Sequence, residues 1–181
     1  MKNKKWAVAI GGACLIVAVC FCIFQTGIIQ AWSGGEVAID PARYYKVTYV
    51  VDGDTFKASV NGREITVRVL GINTPETVDP RKPVECYGPE ASVEGKLLLA
   101  GRSVELKLNP DREHRDKYGR YLLYVYRDDG LFYNEHMIAE GFAREYTVGS
   151  AYSFQGEFRK AETAAKTAGK GLWGKCDQTK S

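Results

Sequence analysis

The chain has no acidic residue before Glu36, only two histidines, and only two cysteines, Cys86 and Cys176, beyond its first 32 residues. Each scarcity excludes something. Two histidines and two cysteines spread far apart make a poor set for a tetrahedral zinc centre. Lys2, Lys4 and Lys5 are the only charges in residues 1–32, so the 25 Lys and Arg fall to 22 in the remainder, where 22 Asp and Glu match them. The net charge of +3 therefore resides in the N-terminal segment. Bulk positive charge cannot recruit a polyanion to the rest, and any such site must be a local cluster. Only six prolines and 19 glycines in 181 residues, with 45% hydrophobic content, exclude collagen-like and disordered classes. There is no internal repeat and no low-complexity tract.

One long apolar run is present. Trp6 to Phe24 is almost unbroken, further apolar residues follow up to Ile29, and no charge interrupts Lys5 to Glu36. About 20 apolar residues in a helix span roughly 30 Å, the thickness of a bilayer core. Residues 1–32 are therefore expected to form a transmembrane or signal helix. Its length favours an uncleaved anchor, and Ile29-Gln30-Ala31 is a poor cleavage site. The lysines remain cytoplasmic, which sends the rest outside whether the segment is kept or removed. Outside is also where a bridge between Cys86 and Cys176, the only two cysteines left, would persist.

Residues 33–42 read as a linker, 43–176 as the folded domain and 177–181 as a tail. Tyr45, Val47, Tyr49 and Val51 alternate with Lys46, Thr48 and Val50, and Asp52-Gly53-Asp54 breaks this first strand. Thr55–Val60 is a second strand. Asn61-Gly62 signals a tight hairpin, because both turn residues accept positive φ. Ile65, Val67 and Val69 then alternate with Thr66, Arg68 and Leu70 in a third strand. Residues 71–83, with three prolines, read as a loop. Gly88-Pro89-Glu90 opens a helix whose buried side is expected from Leu97, Leu98 and Leu99, with Gly101 ending it. Val104–Leu108 and Tyr121–Tyr126 are two further strands. A short helix follows over Asn134–Glu140, and a last one places Phe154, Phe158, Ala161, Ala165 and Ala168 at helical spacing. The class is α+β. Five strands and three helices fit a small closed barrel of OB type, and equally a generic α+β domain.

Four stretches could carry chemistry. Asp52-Gly53-Asp54-Thr55 puts two carboxylates at a strand end, and Arg68 is followed closely by Asn73-Thr74-Pro75-Glu76. Asp116-Lys117-Tyr118-Gly119-Arg120 precedes the fifth strand. Each also has a plain reading as a turn, a solvated strand arginine, a loop string or a polar hairpin, so none is decisive alone.

Taken together and in order, they resemble the staphylococcal nuclease (thermonuclease) family. The resemblance runs from about Tyr45 to Trp173 and includes Val51–Thr55, Arg68 with Thr74-Pro75-Glu76, Tyr87-Gly88-Pro89-Glu90-Ala91, Asp116–Arg120, Asn134-Glu135 and Gly141-Phe142-Ala143. It implies a five-stranded OB-type barrel and Ca²⁺-dependent hydrolysis of DNA and RNA to 3′-phosphate ends. Arg68 and Arg120 match the family's two catalytic arginines, and Glu76 its general base. Asp54, Asn73 and Thr74 match the metal site. Lys117 and Tyr118 match positions that hold a neighbouring phosphate. A monomer is expected.

Elementary chemistry agrees with these roles. A carboxylate within reach of a water can take its proton. Guanidinium forks suit a five-coordinate phosphorane, and a hard cation suits oxygen ligands. Two departures stand out. Position 73 is asparagine where the best-known members carry an aspartate, which removes a negative charge from the metal site. The family's pair of base-contacting tyrosines is not kept in register after Ala143, and Tyr146 is the candidate to replace one of them. The competing reading is a catalytically silent OB-type module that binds nucleic acid or protein. Retention of Arg68, Glu76 and Arg120 argues against it.

Overall fold

The computed structural model describes residues 36–111 and 113–176. The helix expected over 1–32 and the tail 177–181 lie outside them. Among the described residues no helix is long and apolar enough to cross a membrane.

Strands β1 (Tyr44–Val50), β2 (Thr55–Val60), β3 (Arg63–Val69), β5 (Ser103–Leu108) and β6 (Tyr121–Arg127) close into a barrel in the order β1-β2-β3-β6-β5. All pairings are antiparallel except β3 with β6, which is parallel and sets Val67, Arg68 and Val69 against Tyr121, Leu122 and Leu123. This is the OB-type closure expected from the sequence, and it removes free sheet edges. The β2–β3 hairpin turns at Asn61 (φ 52°) and Gly62 (φ 78°), a primed turn whose twist matches the strands.

Alternation in β1 does not run through as the sequence suggests. Val47 pairs with Ala58 and Tyr49 with Lys57, so β1 carries one extra residue at this bulge. Parity flips there: Tyr45, Val47 and Val50 are buried, while Tyr49 is exposed. The run of three leucines in α1 (Gly88–Leu99) is a second correction. Successive helical residues are about 100° apart, so three in a row cannot share one face. Leu99 is buried, Leu97 is 69% exposed, and the packed face is Gly88, Ala91, Ser92, Gly95 and Leu99. Small residues there let the helix approach the β1–β2 turn. A Cβ on Gly95 would lie 3.1 Å from the Asp52 carbonyl oxygen and 3.2 Å from Gly53 Cα.

The region 71–83 contains one short element the sequence did not suggest. β4 (Ile72–Asn73) pairs antiparallel with β7 (Arg144–Glu145), which carries the chain after α2 (Tyr133–Ala139) back to the end of β3. Asn134 secures α2: its Oδ1 accepts from Val125 N–H at 2.9 Å and its Nδ2 donates to the Leu70 carbonyl at 2.8 Å. In α3 (Gln155–Thr167), Phe158 and Ala165 are buried as the helical spacing predicts, whereas Ala168 is exposed at the helix end. A single-turn helix, α4 (Leu172–Lys175), follows the three expected ones.

Cys86 and Cys176 form the expected disulfide, with Cα atoms 5.9 Å apart. Val37 and Ile39, within the stretch read as linker, pack against the barrel core, and Val37 N–H donates to the Tyr121 hydroxyl at 2.7 Å.

Candidate active site

Three chain segments converge at the C-terminal end of β3. The β1–β2 turn supplies Asp54, held because Val51 and Asp52 N–H both donate to Thr55 O and Asp54 O accepts from Val69 N–H. β3 supplies Arg68, and β4 supplies Asn73 and then Thr74. Asp54 is buried, and its carboxylate accepts three hydrogen bonds. Its Oδ2 accepts the Thr74 N–H (2.8 Å) and hydroxyl (3.0 Å). Its Oδ1 accepts the Thr55 hydroxyl (3.0 Å) and lies 3.2 Å from Arg68 Nε.

Arg68 is the hub. Its Nη1 donates to the carbonyls of Val69 (2.9 Å) and Ile72 (2.7 Å), and its Nη2 to Asn73 Oδ1 (3.0 Å). Three of its five N–H groups are thus hydrogen-bonded, and its Nε stands in ion-pair range of Asp54. Tyr146, directly after β7, brings its ring to 5.9 Å from the guanidinium carbon, and its N–H donates to Gly71 O. The β4–β7 pairing explains this placement, which the sequence could not show.

Glu76 sits two residues beyond Thr74. Its Oε1 accepts three successive backbone N–H groups, from Thr77 (2.9 Å), Val78 (2.8 Å) and Asp79 (3.0 Å). The Val78 bond, with those of Asp79 and Thr77, holds its carboxyl below the usual glutamate value in spite of partial burial. Among the described residues Oε2 accepts no hydrogen bond, so that oxygen is the one left for a water.

Arg120 belongs to a second group. Its Nε and Nη2 both lie 2.7 Å from Asp116 Oδ2, while Asp116 Oδ1 accepts the N–H groups of Tyr118 and Arg120. Burial would raise the Asp116 carboxyl, but hydrogen bonds from Arg120 outweigh it and hold the group below its ordinary value. Tyr118 is 72% exposed, with Lys117 Nζ 5.0 Å and the Arg120 guanidinium 5.4 Å from its ring. Arg68 pairs with Leu122, and Arg120 lies two residues before Leu122 on the same strand line. Arg120 thus immediately precedes β6, whose first residues pair with the end of β3 that carries Arg68. Among the described residues no direct bond joins the Lys117–Arg120 group to the Asp54–Arg68 group.

Two further carboxylates sit beside these groups: Asp52, which the sequence marked only as part of the Asp-Gly-Asp turn, and Glu85, which it did not mark. Asp52, half-buried beside Asp54, donates no proton but accepts the Asp54 N–H at 2.9 Å; desolvation, then the Asp54 charge, pushes its carboxyl up to about 6. Glu85 accepts the Glu76 N–H from nine residues away, a pairing with no local signal. Among the described residues no group of three or more His, Cys, Asp or Glu is placed to hold a metal. The candidate donors in this cluster are nonetheless all hard oxygens: the Asp54 carboxylate, the Thr74 hydroxyl beside it and the Asn73 amide oxygen, linked to it through Arg68. That chemistry fits Ca²⁺ or Mg²⁺ and not a soft metal.

A family model described as "Staphylococcal nuclease homologue" matches residues 66–175. The chain is 38% identical over 129 residues to a protein named thermonuclease from Staphylococcus hyicus, covering 71% of this chain and 75% of that one. It is 45% identical over 100 residues to the thermonuclease of Staphylococcus intermedius, covering 55% and 58%. It is 40% identical over 126 residues to the SPbeta prophage-derived endonuclease YokF of Bacillus subtilis, covering 69% of this chain and 42% of that protein.

Proposed function

The chain belongs to the staphylococcal nuclease family and is a nuclease of that type; from that premise we propose a calcium-dependent, extracytoplasmic enzyme that hydrolyses DNA and RNA to 3′-phosphate ends. The observation that carries this reading is the bonded cluster of Asp54, Arg68, Asn73 and Thr74, with Tyr146 beside it and Glu76 two residues on.

Each residue has a task its surroundings suit. Asp54, Asn73 and Thr74 would hold Ca²⁺, whose chemistry when bound is to offset negative charge on the phosphate. Arg68 and Arg120 bind the non-bridging oxygens of the scissile phosphate, and their donors are worth most when charge builds there. For Arg68 to turn its fork to a phosphate, it must release Asn73 Oδ1 or Asp54 Oδ1. Glu76 takes a proton at Oε2 from the attacking water, while the three N–H groups on Oε1 fix the carboxylate's orientation. The water oxygen bonds to phosphorus, the P–O5′ bond breaks, the 5′ oxygen leaves with a proton taken from solvent, and the phosphate stays on the 3′ side. Lys117 and Tyr118, exposed on their turn, contact a neighbouring phosphate, and Tyr146 offers a ring face to a base.

The location rests on Lys2, Lys4 and Lys5 before a long apolar run, supported by the Cys86–Cys176 disulfide, which suits an oxidising compartment. The enzyme is proposed to act as a monomer, tethered by its N-terminal segment or released by cleavage.

The test is to incubate the purified protein with DNA or RNA, with Ca²⁺ or with chelator, and to analyse product ends. Fragments with 3′-phosphates formed only with Ca²⁺ are the expected outcome. Nucleic-acid binding without cleavage would mean a silent binding module instead.

A further inference from the structure

The Glu76 loop is closed by a residue outside the known site. Glu85 meets Glu76 twice: its Oε2 accepts the Glu76 N–H at 3.1 Å, and its N–H donates to the Glu76 carbonyl at 2.9 Å. Glu85 in turn sits in a tight turn. Its carbonyl accepts the Gly88 N–H at 3.0 Å, and Tyr87 takes φ 67°, a left-handed conformation that non-glycine residues rarely adopt. Such a turn persists only where its surroundings hold it. The residue between Glu85 and Tyr87 is Cys86.

The other half of the bridge is firmly seated. Cys176 N–H donates to Leu172 O at 3.1 Å, Leu172 is buried, and Leu172 N–H donates to Gly141 O at 2.9 Å. Tyr87 adds one more tie to the same region through its ring, stacked 5.6 Å from Phe142. The disulfide therefore joins the turn that carries Glu85 to a fixed point on the domain. Cys86 itself is exposed, so a reductant can reach it.

We propose that Glu85 is the positioning residue of the Glu76 loop, and that the Cys86–Cys176 bridge holds it in place, so that full hydrolysis requires the oxidised protein. The proposal rests on Glu76 being the general base. Its consequence is a nuclease that stays weak in a reducing cytoplasm and reaches full activity once its cysteines are oxidised.

The test uses the full chain in detergent micelles with Ca²⁺. A water-soluble phosphine opens the bridge: it gives two electrons to the S–S bond, two protons complete the thiols, and the phosphine becomes its oxide with oxygen from water. Steady-state hydrolysis is compared for oxidised and reduced wild type, Glu85→Ala, Glu85→Gln and the Cys86→Ser/Cys176→Ser double variant. Hydrogen exchange of residues 76–79 is followed alongside. Misplacing a catalytic group by about 1 Å costs on the order of 100-fold. The expected result is a fall in kcat of roughly 10- to 100-fold, with KM little changed, in Glu85→Ala, in reduced wild type and in the double variant. Exchange of the Thr77, Val78 and Asp79 amides speeds up in the same three samples. Glu85→Gln, which keeps an acceptor oxygen, restores most of the rate, and the double variant does not respond to phosphine.

Wild-type kcat and unchanged exchange in Glu85→Ala would overturn the positioning role. An effect of Glu85→Ala with none on reduction would overturn the redox half. Faster exchange throughout β1–β3 in these samples would mean general unfolding and overturn both. If oxidised wild type does not cut at all, the nuclease reading fails, and the exchange of residues 76–79 still decides whether Glu85 and the bridge hold that loop.

Discussion

Arg68 Nη2 donates to Asn73 Oδ1 at 3.0 Å, which bonds an expected phosphate ligand directly to an expected metal ligand. The same guanidinium lies 3.2 Å from Asp54 Oδ1, and both side chains of that pair are about one-tenth exposed. Arg68 thus has a structural role besides the catalytic one proposed for it. Arg68→Ala leaves a buried carboxylate without its partner, a change that typically costs about 3–5 kcal/mol. In chelator the denaturation midpoint of Arg68→Ala should fall well below wild type, and added Ca²⁺ should recover more stability in the variant than in wild type. Equal midpoints in chelator would show that the pair contributes nothing.

Glu76 and Arg120 are only partly buried, so their replacement tests chemistry with little risk to the fold. Glu76→Gln and Arg120→Ala should each lower kcat by about 10²–10³-fold, the range for losing one transition-state donor or base. Thermal midpoints within a few degrees of wild type confirm that folding is intact. A folded Arg120→Ala enzyme with full activity would remove Arg120 from the mechanism.

Asn73→Asp adds a carboxylate where the chain has an amide. The half-saturating Ca²⁺ concentration for hydrolysis should drop, since each added negative ligand strengthens a hard-cation site. A calcium titration of both proteins measures it, and an unchanged or higher value would mean that residue 73 is not a ligand.

Asp52 gives a pH prediction with a definite sign. Its folded-state carboxyl is pushed up to about 6, above its unfolded value, by desolvation and by the charge of Asp54. The folded chain therefore binds more protons than the unfolded one between about pH 4 and 6, and this contribution is lost as pH rises through that window. In chelator, wild type should lose stability over pH 4–6 relative to Asp52→Asn, which cannot titrate. Parallel pH–stability curves for the two proteins would refute the assignment.

Asn134→Ala removes the two hydrogen bonds that Asn134 makes from α2 to the barrel and strands Val125 N–H and Leu70 C=O inside it. Each buried orphan costs about 1–3 kcal/mol. A large fall in the urea midpoint with an unchanged m-value is expected, and a fall of only a few tenths of a kcal/mol would mean that water replaces the amide.

Much of this was legible in the residues themselves. Strand periodicity, the Asn61-Gly62 turn and the helical spacing of Phe158 and Ala165 located the elements, because period and turn chemistry are local properties of the chain. The cysteine pairing followed from there being only two candidates. The ordered series from Asp54 to Arg120 pointed to the family and nominated the site. Other features needed the fold. The bulge that turns Val50 inward in place of Tyr49 depends on the neighbouring β2, and the packed face of α1 was set by the close approach of Gly95 to the β1–β2 turn, not by its leucines. Tyr146 reaches Arg68 only because β7 pairs with β4, and Glu85 reaches Glu76 only across a closed loop. The sequence determined which groups this protein has for chemistry and roughly where its strands and helices lie. Tertiary structure decided which of those groups bond to one another, because such bonds depend on segments brought together by long-range pairing, and no local pattern records them.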